Sequence, residues 1–316
     1  MKLDVIKYSK FYVLGSLVVI LAGIAAMLIS WQTTGFPLKP GIDFTGGTRL
    51  IVGLNCTAQT CKQPIDIGVV RQAITAKGYG KSVIQLIEGN DLYGISIQTV
   101  DLDTEQRTAL QKVIQEVLKP VGEVDAQKSQ IEKIGPAIGA QLLTTGLMAL
   151  LVSFAGIACY LAVRFEADYA FFAILALLHD VLVTVGVFAV LGLIWGVEVD
   201  SLFIVALLTI CGFSVNDTVV IYDRIRENLK NASADTLLTE LVNSAVNQSL
   251  ARSINTTWTT VLPLLAILLF GGATLKFFAL ALLIGFLAGT YSSIFNASIL
   301  WTWWRNARRP KTVSSA

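Results

Sequence analysis

Hydrophobic positions in this chain gather into six long runs: Phe11 to Trp31, Ile138 to Val163, Tyr169 to Leu193, Ser201 to Tyr222, Ile254 to Phe270 and Phe277 to Trp301. Each is close to the roughly 20 apolar residues that an α-helix needs to cross a bilayer. A polar stretch, 32–137, separates the first run from the second, whereas the other five follow one another closely. The pattern predicts a polytopic α-helical membrane protein with six transmembrane helices in a one-plus-five layout. Its parts are an N-terminus with the first helix (1–31), a large polar domain (32–137), a five-helix bundle (138–304) with a polar loop at about 223–251, and a basic tail (305–316).

Within 32–137 the period changes. Alternation predicts strands at Thr48 to Leu54, near Val83 to Ile87, at Leu92 to Thr99 and from about Glu123, with helical periods at Ile65 to Gly78 and Thr104 to Leu118. A β-α-β-β-α-β order is that of an α+β ferredoxin-like unit.

Composition agrees with the membrane reading: 54% of residues are hydrophobic, 15% are charged and the mean hydropathy is +0.66. Such a chain is too apolar for a soluble globule. The net charge of +2 carries less information than its placement. Lys2, Lys7, Lys10, Arg164, Arg224, Arg226, Lys230, Arg305, Arg308, Arg309 and Lys311 all fall on one side of the predicted spans, while the short loops opposite carry Glu198, Asp200 and a single base, Lys276. The positive-inside rule then puts both termini in the cytoplasm and 32–137 outside. The basic start of the first run also suits a cleaved signal peptide, but its length and the lack of a small-x-small site before Trp31 favour a retained anchor. The polar domain holds as many acidic as basic residues, so it offers no field for nucleic acid or an anionic surface.

Asp217 is the outstanding chemical feature, a carboxylate inside the fourth run. An acid at helix centre costs roughly 3 kcal/mol on an insertion scale, and about twelve Leu, Ile, Val and Phe residues return roughly 4 to 7 kcal/mol. The helix still inserts, and the acid needs a group that hydrates, pairs with or neutralises it. On a helix, Gln248, Arg252, Asn255, Thr256 and Thr259 share a face. This stripe could carry Arg252 to Asp217, in which case the carboxylate is the member that titrates; alternatively Arg252 snorkels to the interface. Asn216 adjoins the acid. His179 and Asp180, in the third run, fit either hydrogen bonding between helices or a proton path. As the sole histidine, His179 cannot build a multi-histidine metal site.

Other signals are structural. Ala281, Gly285, Gly289, Ser292 and Asn296 line one side of the sixth run, with Gly285 and Gly289 spaced for close helix packing. Cys56 and Cys61 share a polar loop and are either bridged or two free thiols; Cys159 and Cys211 lie in spans and read as small packing residues. Gly41-Ile-Asp-Phe-Thr-Gly-Gly47 has glycines for unusual backbone shapes but lacks the lysine and spacing of a phosphate loop. With no nucleophile elbow, phosphate loop or metal-ligand cluster, the sequence predicts no enzyme and no cofactor; an ion gradient or partners would drive its work.

Several segments together resemble the SecF family of the bacterial SecD–SecF translocation complex, within the resistance-nodulation-division superfamily. They are Gly41 to Gly47 (with Asp43, Phe44 and Gly46), Ile134-Gly-Pro-Ala-Ile-Gly139 (with Gly135 and Pro136), Ala176-Leu-Leu-His-Asp180, Gly212 to Asn228 (with Asp223 and Arg224) and Arg252-Ser-Ile-Asn-Thr256. The resemblance implies a multi-pass protein of the bacterial cytoplasmic membrane, or of the thylakoid membrane in a phototroph. It implies pairing with SecD, association with the SecY, SecE and SecG channel, contact with the YidC insertase and the translocating preprotein, and no nucleic acid. It further implies proton- or sodium-driven late export, with ion coupling at Asp217 and Arg252. The loop Asn55 to Pro64 departs from the family pattern. Rival readings are a half-size transporter of small hydrophobic molecules or lipids, and a passive scaffold of the channel.

Overall fold

The computed structural model describes all residues except 1–3, 58, 81, 89–91, 234–235, 272 and 309–316. Lys2 and the tail beyond Arg308 therefore lie outside the described residues. In chain order the elements are α1 (Ser9–Thr34), α2 (Ile42–Thr45), β1 (Gly47–Leu54), α3 (Ile67–Thr75), β2 (Val83–Glu88), β3 (Tyr93–Thr99), α4 (Thr104–Leu118) and β4 (Val124–Ile134). Then come α5 (Pro136–Arg164), α6 (Ala167–Trp195), α7 (Ser201–Lys230), α8 (Leu238–Phe270), α9 (Ala273–Tyr291), a π-helical turn (Ser292–Ala297) and α10 (Ser298–Arg308). The chain divides into two compact units, 40–146 and the remainder.

The unit 40–146 is an antiparallel sheet in the order β2-β3-β1-β4, the ferredoxin-like arrangement that the alternation predicted. Leu50, Val52 and Leu54 of β1 and Tyr93, Ile95 and Ile97 of β3 form one apolar layer. Val70 and Ile74 of α3 and Leu110, Ile114 and Leu118 of α4 close over it. Both helices start where an aspartate satisfies free amides. Asp66 accepts from Gly68 and Val69, and Asp103 forms a reciprocal box with Gln106, each worth about 1 kcal/mol. Cys56 and Cys61 form a disulfide, with Cα atoms 5.2 Å apart. It abuts Gly122, where an added Cβ would lie 2.7 Å from the Cys56 sulfur.

The same unit explains two glycine motifs that lie far apart in sequence. Gly41 precedes α2, whose first turn holds Asp43 and whose Ile42 and Phe44 are buried. Gly46 and Gly47 then take φ of 72° and 134°, values that favour glycine. A Cβ on Gly46 would lie 2.6 Å from Pro136 Cα, and one on Gly139 would lie 2.9 Å from the Phe44 carbonyl oxygen. Residues 41–47 and the Gly135–Gly139 segment are thus two halves of one backbone contact.

In the other unit, six helices are long and apolar enough to cross a membrane, the sixth running Leu275–Arg308 through the π-turn. They match the six predicted runs. The stretch 223–251 is not a loop, however: α7 continues to Lys230 and α8 begins at Leu238. The charged residues there occupy one side of each helix, while Ile225, Leu238, Val242, Ala245 and Val246 are buried on the other, an amphipathic arrangement with no uninterrupted apolar run to announce it. α1 meets α6 at Gly23 and Gly186, where a Cβ on either would approach the other's Cα to 2.8 or 2.7 Å. At Gly285 of α9 a Cβ would fall on the Ile210 side chain of α7, and at Gly289 it would lie 3.1 Å from Ser214 Cβ. These small residues let helices approach backbone to backbone.

Candidate functional site

Two carboxylates are buried among the spanning helices, Asp180 at 0% and Asp217 at 6% exposure. Asp217 sits on the buried face of α7, and its Oδ1 accepts a 2.7 Å hydrogen bond from Ser253 Oγ of α8. Its Oδ2 has no hydrogen-bond partner, the only such buried side-chain atom among the described residues. Ser253 is held in turn: its carbonyl accepts from Thr257, whose hydroxyl also lies 2.6 Å from that of Thr290 on α9.

Arg252 does not close on the acid. It is exposed, and among the described residues it forms no ion pair with Asp217. Gln248, Asn255 and Thr259 are exposed beside it, and Thr256 is half-buried. The buried polar stripe of α8 is instead Ser249, Ser253 and Thr257, one residue further along and hence about 100° around the helix. Asn216 is likewise exposed.

Asp180 is bonded on both oxygens. Oδ1 lies 2.9 Å from His179 Nδ1, and Oδ2 accepts from Ser214 Oγ of α7 at 2.5 Å and Ser292 Oγ of the π-turn at 2.9 Å. The π-turn presents adjacent residues to the interior: Ser293, following Ser292, bonds the Thr218 hydroxyl at 2.7 Å. Further on, Asn296 exchanges bonds with Ser16 of α1. A π-turn inserts a wider step into an α-helix and recurs at functional positions. Here it joins α1, α6 and α7 through hydroxyls and one amide. The spacing of Ser249, Ser253 and Thr257, and the Ser292-Ser293 doublet, were the sequence signals for these partners.

At one end of the bundle both carboxylate oxygens of Asp223 accept from Arg164 Nη2 at 2.9 Å, and Asp223 lies 3.8 Å from Arg226, bracing α5 to α7. Arg224 pairs with Glu227, one turn away on α7. Nearby, Asp168 accepts from Trp301 Nε1 at 3.1 Å and Arg305 Nε at 2.6 Å, and Arg305 also pairs with Glu166. This clamp fixes α10 to the start of α6. Among the described residues no group of three or more His, Cys, Asp or Glu side chains is placed to hold a metal ion.

Comparison with known proteins places this geometry. Residues 113–307 match the family described as protein export membrane protein SecD/SecF, C-terminal, and residues 33–58 match the SecD/SecF GG motif. The protein translocase subunit SecF of Synechocystis sp. is 52% identical over 312 residues, covering 98% of this chain and 97% of the relative. The chain belongs to the SecF family. SecF of Prochlorococcus marinus is 40% identical over 90% of each chain. The crystal structure of SecDF, a translocon-associated membrane protein from Thermus thermophilus, superposes with a TM-score of 0.81 at 32% identity. The alignment covers 97% of this chain and 39% of that one, so the present chain corresponds to about two fifths of SecDF. This SecF-family chain is accordingly a multi-pass membrane protein of the protein-export machinery. The matched 33–58 segment contains Gly46 and Gly47, whose contact with Pro136 has just been described.

Proposed function

We propose that this chain is the SecF-type half of a SecD–SecF complex, in which Asp217 and Arg252 couple a proton or sodium gradient to late preprotein export. The observation that carries the reading is the outward polar stripe of α8. Gln248, Arg252, Asn255 and Thr259 are exposed next to a buried acid with one unfilled oxygen. Polar and charged groups at membrane depth seek a bundle interior, a water path or one another. A SecD-type helix laid on this stripe supplies that interior, and brings Asp217, Arg252 and the partner's own polar groups to one place. The complete SecDF chain, more than twice as long as this one, is consistent with a partner of that kind.

Orientation follows from the lysine and arginine distribution, with both termini cytoplasmic. The Cys56–Cys61 disulfide supports it, since such bonds persist on the oxidising side of a membrane. The sheet unit then works outside, where a preprotein emerges from the SecY, SecE and SecG channel. The inner bacterial membrane is the location consistent with this. A charge crossing the whole field yields about 2.3 kcal/mol per 100 mV, so pulling a long segment takes several ions.

The test is capture from native membrane with a cysteine at Asn255. A SecD-family protein should co-purify, and it should cross-link to Asn255→Cys through one of its own spans. Recovery of an efflux adaptor in its place would overturn the reading in favour of a small-molecule transporter. A co-purifying SecD that never cross-links at this stripe would overturn the docking surface.

A further inference from the structure

We propose that a cavity at one end of the sheet unit holds an extended segment of the exported polypeptide, taking it by its main chain without reading its charge. The proposal rests on the export reading above and adds to it the place where this chain touches its client.

The cavity lies wholly within the unit 40–146 and measures about 600 Å³, inside the range of roughly 300 to 1,000 Å³ found for ligand clefts. It forms where β1 and β2 begin and β3 ends, so three neighbouring strands stop at its edge. Two glycine pairs line it, Gly46 with Gly47 and Gly78 with Gly80, together with Val100 and Pro136. A Cβ on Gly78 would meet nothing within 4 Å. Glycine walls leave backbone bare, and a second main chain can approach them closely. Val100 is 66% exposed and gives the cavity an apolar lip. Pro136 opens α5, two residues before the apolar run that begins at Ile138. The cavity is therefore next to the membrane surface, where a chain leaving a membrane channel first meets water.

The polar groups define what fits. Thr45 Oγ1 donates to the carbonyls of Gly41 and Gly46, and Ser82 Oγ donates to the Tyr79 carbonyl and the Thr99 hydroxyl. With those hydrogens committed, both hydroxyls keep accepting capacity, which suits the N–H groups of an extended chain. Asp101 is the only charged residue among the described lining, and Lys133 pairs with it at 2.9 Å. An anionic headgroup needs lysine or arginine, and the described lining has none. A client of arbitrary sequence needs a site that favours neither sign. Main-chain hydrogen bonds with shallow apolar contacts meet that need, as in other sites for extended peptides.

Val100→Cys, labelled from the outer face of spheroplasts with a photo-activated thiol cross-linker, reads occupancy while a preprotein is arrested in the channel. The unaltered chain, with Cys159 and Cys211, gives the background. Val69→Cys, exposed on α3 away from the cavity lining, gives the reference for chance collision. The preprotein should be captured from Val100→Cys and not from Val69→Cys, and to the same extent whether the arrested segment is acidic or basic. Adding Thr45→Trp, whose ring fills the cavity, should return capture to background. Equal capture at both positions, no capture, capture of lipid alone, or capture that follows the sign of the client's charge each overturns the proposal. If the double variant is not recovered in the membrane, the comparison of Val100→Cys with Val69→Cys decides alone. Recovery of a SecD-type partner and gradient-stimulated export, measured on the same cells, judge the export reading. With both intact, a Val100 probe that captures nothing removes this site and leaves that reading standing.

Discussion

Asp180 and Asp217 are both buried carboxylates on neighbouring spans, yet one is enclosed by donors from its own chain and the other is left half-finished. Asp180 receives His179, Ser214 and Ser292; among the described residues Asp217 receives Ser253 on one oxygen and nothing on the other. A fully bonded buried acid ties helices together, because removing it strands every donor aimed at it. A half-bonded acid leaves one oxygen open to a further partner. On the proposed function, the contrast separates a group that ties this chain's own helices together from one left open to an ion and a second subunit.

The largest effect should come from breaking the finished site. Asp180→Ala leaves His179, Ser214 and Ser292 without their acceptor and should cost about 3 kcal/mol, the scale for one half of a buried pair. Asp217→Ala should cost no more than about 1 kcal/mol in the chain on its own, in keeping with a single interhelical bond in a membrane. Denaturation of both variants in mixed micelles would compare them, and the reverse order would break the distinction. Next in size, Ser214→Ala and Ser292→Ala should each cost about 0.6 to 1.7 kcal/mol. A double-mutant cycle should show them coupled through the shared Oδ2 by about 0.5 kcal/mol or more; strict additivity would mean that the carboxylate does not unite them. Smallest of all, Arg252→Gln should change the stability of the isolated chain by less than about 0.5 kcal/mol, while reducing recovery of the SecD-type partner. A large loss in the isolated chain would show that Arg252 belongs to its interior after all.

The sequence made the coarse architecture readable because hydropathy and alternation act over whole segments. The six spans, and the strand and helix order of the polar domain, come from periods that no single residue can hide. The face of α8 was not readable in the same way. A polar stripe marks one side of a helix, but nothing in the stripe says whether that side faces this chain's interior or a partner. Arg252 and Asn255 drew attention, while Ser253, chemically bland, holds the acid. The π-turn also escapes a reading based on a 3.6-residue period, since the extra residue only changes which neighbours point inward. The junction of Gly46 with Pro136 was invisible for a different reason: each motif looks like a local turn until the fold brings the two together. The charged stretch 223–251 read as a loop because its buried residues are spaced out singly rather than run together.

The proposed role of Asp217 requires that its open oxygen serve the ion gradient. Gradient-dependent export in inverted membrane vesicles, compared between the unaltered chain and Asp217→Asn at equal recovery of the SecD-type partner, tests it most directly. The variant should assemble normally, and imposing the gradient should no longer stimulate its export. Undiminished stimulation by the gradient in the assembled variant would contradict it.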